Sequence, residues 1–144
     1  MTDDSSRSVT IERTALGRHV VRNARGATLH IGAGGSADGA FTPVELLLAA
    51  IGGCTGLDVD YIVSKRAEPT AFTVTVTGDK IRDEAGGNRM VNLHVTFDVR
   101  FPEGPDGDKA REAMPRAAKM SHDRLCTVSR TVQAGSPIGT TIVE

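Results

Sequence analysis

PVELLLAAIGGCTGLDV, Pro43 to Val59, is the stretch on which the reading of this 144-residue chain turns. Pro43 suits the first position of a helix, Thr42 before it can serve as N-cap, and Glu45 adds a capping partner and an acid in the first turn. The pattern predicts a helix from Pro43 to about Arg66, roughly 36 Å long at 1.5 Å per residue. Its front half, Leu46 to Ile51, is apolar all round, which predicts a central place in the fold. The difficulty is GGCTG, Gly52 to Gly56. Three glycines in five helical positions cost on the order of 3 kcal/mol relative to alanine. Gly52, Gly53 and Gly56 strip side chains from the helix beside Cys54, so either a second backbone approaches closely there or a small molecule enters.

On both sides of this helix the pattern is β. Segments VTIER, RHVVR and ATLHI, punctuated by Gly17 and the turn signal Asn23 to Gly26, read as a meander of short strands between Ser8 and Ile31. Gly32 to Ala40 has loop composition and lacks the Lys-Ser/Thr ending of a phosphate-binding loop. After Pro69, Phe72, Val74 and Val76 alternate, and Val91, Leu93, Val95, Phe97, Val99 and Phe101 do likewise, giving two long strands. PEGPDGD is a turn signal, and a helix follows from Asp108, with a kink or restart expected at Pro115. A short helix through LCTVSRTVQ ends at Gly135, and PIGTTIVE is read as a closing strand. This order predicts an α+β fold with helices on one face of antiparallel sheets. Residues 1–7 are expected to be a flexible tail and residues 8–144 a single domain.

Composition narrows the function. Seventeen basic against eighteen acidic residues give no positive field for nucleic acid. The start MTDDSSRS lacks the basic and apolar regions of a secretory signal, and no run of about 18 apolar residues predicts a membrane span, so the expected address is cytoplasmic. Two cysteines do not make a secreted disulfide scaffold.

The chemistry therefore centres on Cys54 and Cys126, about seventy positions apart. Leu47, Ala50, Ile51, Cys54, Leu57, Asp58 and Tyr61 fall on one helical stripe, which puts Cys54 on a mainly buried line. Ser121 can cap the short helix that carries Cys126, whose sulfur then lies in its first two turns, where the dipole stabilises negative charge. Two thiols fit two-step redox chemistry, or inert packing if they never meet. Asp58 would oppose ionisation of Cys54, so a cation is required nearby, and Arg22 or Arg25 is the expected source. His122 and Cys126 at i, i+4, with Cys54 and Asp58, could supply four zinc ligands, yet there is no CxxC or HxxxH pair and no metal is expected. His122 is otherwise a candidate for tuning Cys126.

PVELLLAAIGGCTGLDV followed by SHDRLCTV resembles the OsmC/Ohr family of thiol peroxidases over the span from about Ser8 to the C-terminus, and the ELLLAA-x-GGC pattern with Asp58 resembles its YhfA-like branch. The resemblance implies an intertwined homodimer with central long helices and a site at the subunit interface. It implies Cys54 as peroxidatic thiol, Cys126 as resolving thiol, an organic hydroperoxide as substrate, and a dithiol or lipoylated protein as reductant, without cofactor. In well-characterised members of the family a glutamate directly follows the proline and pairs with an arginine. Here Val44 stands there and Glu45 lies one position on, a rotation of about 100°. The rival reading is a non-enzymatic module that binds a small hydrophobic ligand or senses redox state. Sulfur transfer through the same thiols is a third.

Overall fold

The computed structural model describes residues 5–34 and 39–143. The first four residues of the expected tail, and residues 35–38 of the glycine-rich segment, lie outside them. The chain divides into two compact units, 1–47 and 48–144.

In the first unit the meander forms as its alternation predicts. Strands β1 (Val9–Ala15), β2 (Arg18–Asn23) and β3 (Thr28–Gly32) make an antiparallel sheet in the order β1-β2-β3. Asn23 holds the second turn by accepting from the N–H groups of Arg25 and Ala27 through Oδ1, each at 3.0 Å. Helix α1 (Pro43–Val63) opens on a reciprocal capping box. The Thr42 N–H donates to Glu45 Oε1 at 2.9 Å, and the Glu45 N–H donates to Thr42 Oγ1 at 3.2 Å.

The second unit carries the larger core. Helix α1 ends at Val63, not Arg66; residues 64–66 form turns on which Arg66 N–H reaches the Val63 carbonyl. By length and composition α1 could cross a membrane. Here its C-terminal half is a core helix: Val59 and Val63 are fully buried with Phe101, Ala110 and Ala117. Strands β4 (Ala71–Arg82) and β5 (Asn88–Arg100) form an antiparallel hairpin that pairs Phe72 with Val99, Val74 with Phe97 and Val76 with Val95. The Phe72 and Phe97 rings meet edge to face, with centroids 6.4 Å apart.

The glycines of α1 now divide. A Cβ on Gly52 would stand 2.6 Å from Val76 Cγ2, and one on Gly56 would stand 3.3 Å from Val74 Cγ2. These two let α1 lie close on β4, and the packing gained there offsets their weak helix propensity. Gly53 has nothing within 4 Å of its would-be Cβ, and it stands beside Cys54.

Helix α2 (Pro105–Met120) begins three residues before the expected Asp108. Pro105 occupies its first turn, where the missing N–H is no loss. Gly107 can be helical because the Pro102 carbonyl fills the place a side chain would take: a Cβ would lie 1.8 Å from that oxygen. The helix runs through Pro115 without the expected restart. After Met120 it widens into one π-helical turn, Ser121–Leu125, closed by the Cys126 N–H to the Ser121 carbonyl at 2.8 Å. Helix α3 (Thr127–Ala134) ends on Gly135 in the left-handed conformation. Lys109, Arg111, Arg116 and Lys119 are exposed, as a solvated face requires.

The closing strand does not form. Residues 136–143 have no ladder partner among the described residues, and Ile138, Ile142 and Val143 are exposed. An extended segment becomes a strand only when a neighbouring edge takes up its backbone groups.

Gly107→Ala is expected to lower stability by about 1–3 kcal/mol through overpacking against a backbone oxygen. Gly139→Ala, with nothing within 4 Å, is the control and should be near neutral. Urea midpoints at unchanged slope check the pair.

Candidate functional site

Both sulfurs converge on the N-terminus of α3. Cys126 does not ride inside a helix capped by Ser121. It is itself the N-cap of α3, in an extended conformation with φ −74° and ψ 97°. The π turn causes this, because the extra residue ends the α2 phase at Leu125 and lets the chain turn before Thr127. The Cys126 sulfur is fully buried, accepts from the Ser129 N–H at 3.4 Å, and its thiol donates to Ser129 Oγ at 3.1 Å. Cys54, half-buried on α1, receives the Val128 N–H. Two successive backbone donors of one helix end thus face the two sulfurs.

Asp58 stands one turn beyond Cys54 on α1. The Cys54 sulfur, an Asp58 carboxylate oxygen and the Cys126 sulfur all lie within 4.8 Å of one another. Asp58 Oδ2 accepts from Ser121 Oγ at 2.9 Å, and Ser121 Oγ lies 2.7 Å from Thr55 Oγ1. A hydroxyl has one proton to give, so Thr55 donates to Ser121 and Ser121 donates to Asp58. Thr55 and Ser121 are both buried. The sequence marked Ser121 only as a cap and passed over Thr55. A hydroxyl next to the cysteine, on the buried side of an otherwise apolar helix, was the available signal.

Burial pushes the Cys54 thiol above its ordinary range. The hydrogen bond to Cys126 and the charges of Cys126 and Asp58 push the same way, while the Val128 N–H acts against them.

A cavity of about 460 Å³ opens next to Thr55 and Ser129, and neither cysteine is among its lining residues. Ile51, Leu93, Val95, Phe97 and Val132 give it apolar walls, and Thr55 and Ser129, both at the cysteine pair, line it too. His122 reaches this cavity but is exposed, with Nδ1 3.0 Å from Asp123 Oδ1, and it is not one of the three clustered donors. A second, more open groove runs between α1 and β4 past Gly52, Gly53 and Gly56.

The remaining expected residues, Glu45, Arg22 and Arg25, belong to the first unit. Glu45 is engaged in the cap of α1. Arg22 on β2 and Arg25 in the turn after it belong to the first unit and are exposed, with no ion pair among the described residues. The stripe that was expected to be mainly buried is so only in part in the single chain: Ile51 is buried and Leu47, Cys54 and Asp58 half-buried, while Ala50 is exposed, Leu57 59% exposed and Tyr61 74%.

The profile described as OsmC-like protein matches residues 34–141. The protein YhfA of Escherichia coli is 30% identical over 97 residues, 67% of each chain. Among solved structures, an OsmC-like protein of unknown function from Vibrio cholerae superposes with a TM-score of 0.71 at 15% identity, covering 90% of this chain and 94% of that one. The organic hydroperoxide resistance protein OhrB of Bacillus subtilis superposes with a TM-score of 0.58 at 16% identity, covering 90% and 92%. These two share the fold.

Iodoacetamide should label Cys54 and spare Cys126. Because the Cys54 pKa is raised, its labelling rate should climb about tenfold per pH unit through the neutral range and level off only above the ordinary thiol value of about 8.5. Cys126→Ala removes two of the groups' effects that raise it, so the plateau should move to lower pH; mass spectrometry of the labelled peptide reads both curves.

Proposed function

This chain belongs to the OsmC-like protein family, and we propose that it is a thiol-dependent peroxidase acting on organic hydroperoxides through Cys54 and Cys126. The observation that carries the reading is the meeting of two sulfurs within 4.8 Å at one helix N-terminus, next to an apolar cavity. The organic hydroperoxide resistance protein OhrB of Bacillus subtilis, which shares this fold, is the source of the substrate class in this reading.

Cys54 is the attacking thiol, because it is the more accessible of the two and Gly53 leaves its flank open. Its sulfur attacks one peroxide oxygen, the O–O bond breaks, the alcohol leaves with the thiol proton, and Cys54 becomes a sulfenic acid. The Cys126 sulfur then attacks the Cys54 sulfur, the S–O bond breaks, and water leaves with the second proton. A dithiol, such as a lipoylated protein, reduces the resulting disulfide and is itself oxidised. The 460 Å³ cavity takes the alkyl part of the substrate. Asp58 is held by Ser121 where it can exchange a proton with the thiol pair. The reaction takes place in the reducing cytoplasm.

The working form is a homodimer. The exposed Leu57 and Tyr61 on α1 and the apolar Ile138, Ile142 and Val143, 92%, 87% and 88% exposed, have no cover in one chain. The two-stranded β4-β5 sheet also keeps unpaired edges that an extended segment can join.

Reduced protein given cumene hydroperoxide should lose both free thiols per chain and recover them with dihydrolipoamide. Cys54→Ser should abolish turnover, and Cys126→Ser should stop at a sulfenic acid that dimedone traps. Survival of both thiols under excess peroxide, with an apolar ligand still bound, would instead support the non-enzymatic module. Light scattering should give twice the chain mass, and Leu57→Asp with Tyr61→Asp should give the single chain; a wild-type monomer overturns the dimer.

A further inference from the structure

The two sulfurs and the Asp58 carboxylate form a donor set that the peroxide chemistry does not exhaust. We propose that reduced Cys54 and Cys126, with Asp58, also bind one thiophilic divalent cation of the zinc class. The sequence argued against such a site because it has no CxxC or HxxxH pair, but α1 supplies the equivalent itself: Cys54 and Asp58 are spaced i, i+4 and so lie on one helix face.

The geometry fits. Since all three donor atoms lie within 4.8 Å of one another, a point exists no more than about 2.8 Å from each, against zinc bond lengths of about 2.3 Å to sulfur and 2.0–2.2 Å to oxygen. Adjustments of about 0.5 Å for each sulfur and about 0.6–0.8 Å for the carboxylate oxygen close the shell. The second shell is already in place. Ser121 Oγ donates to Asp58 Oδ2 at 2.9 Å, so the carboxylate is oriented while its other oxygen stays available. The Val128 and Ser129 N–H groups face the two sulfurs and compensate part of the negative charge of two thiolates and a carboxylate. His122 is turned to Asp123, so the fourth coordination position is left to water or an incoming thiol, as in zinc sites with three protein ligands. Binding replaces two thiol protons with two metal–sulfur bonds and releases the protons to solvent, with no change of oxidation state. Metal and peroxide therefore compete for the same reduced sulfurs, and a disulfide excludes the ion.

The test uses the full reduced chain and no peroxide, so its result does not depend on the peroxidase reading. Cobalt(II) is added, and thiolate-to-cobalt charge-transfer absorption is followed in the ultraviolet. The expected result is saturation at one equivalent per chain and, with zinc(II) in place of cobalt, a slowed alkylation of Cys54. Cys126→Ser should remove the charge-transfer band or weaken binding more than about tenfold, and Ser121→Ala should weaken it by roughly ten- to hundredfold through the carboxylate it orients. Circular dichroism checks folding, and should Cys126→Ser not fold, Cys54→Ser at its half-exposed position carries the same expectation. Absence of the band in the wild-type chain, or a band unchanged by both cysteine variants, overturns the site.

Discussion

The buried hydrogen bond between Thr55 and Ser121 is the tie on which the arrangement of the second unit depends. It joins the middle of α1 to the first residue of the π turn, two segments separated by 66 positions. Ser121 is fully buried and Thr55 nearly so, and loss of the Ser121 hydroxyl would leave both Thr55 and Asp58 without this partner, at about 1–3 kcal/mol for each polar group left unsatisfied. The pair extends to Asp58 and thereby fixes its carboxylate beside the thiols. Apolar burial of Val59, Val63, Ala110 and Ala117 brings α1 and α2 together. The hydroxyl pair then sets the register at which they meet, because a shift of one residue on either side would break it.

That division of labour explains how the site works as a whole. Gly52 and Gly56 let α1 settle on β4, and Cys54 on another face of the same helix is left half-open with Gly53 beside it. Cys126 is sealed, yet its sulfur faces the same cluster. One accessible and one buried thiol, both in reach of helix-end N–H groups, differ in what can approach them more than in what surrounds them. In the proposed peroxidase cycle this asymmetry gives each sulfur its own step.

Much of this was legible in the sequence. Period-two alternation in residues 72–101 gave the hairpin and its inward face, because one side of that sheet must be buried. Pro43, Thr42 and Glu45 marked the start of α1 through backbone donors that need partners, and the structure shows both capping bonds. The two cysteines were singled out, and so was Asp58. What escaped is what depends on three dimensions. The π turn has no compositional sign, so the place of Cys126 as N-cap and the inward aim of Ser121 were not foreseen. Pro115 suggested a kink or a restart, and the restart does not occur, because α2 continues through it with Ala110, Ala113, Met114 and Ala117 packed at the core. The closing segment has strand composition, yet an edge to pair with is not a property of the segment itself. The burial expected for the Leu57 and Tyr61 stripe failed in the single chain for the same reason: a helix face is covered only by something outside the helix.

The single widened turn at Ser121–Leu125 has a further bearing on how relatives of this chain are to be aligned. It accommodates one residue more than an α-helix would, and that residue changes the angular phase of everything downstream by about 100°. Spacing between the two cysteines has therefore to match to the residue before their sulfurs can be taken as equivalent. A homologue shorter by one position here could unwind the bulge into ordinary helix and aim its second thiol away from the first while keeping every recognisable residue, so the bulge, and not the cysteine count, separates paired sulfurs from solitary ones.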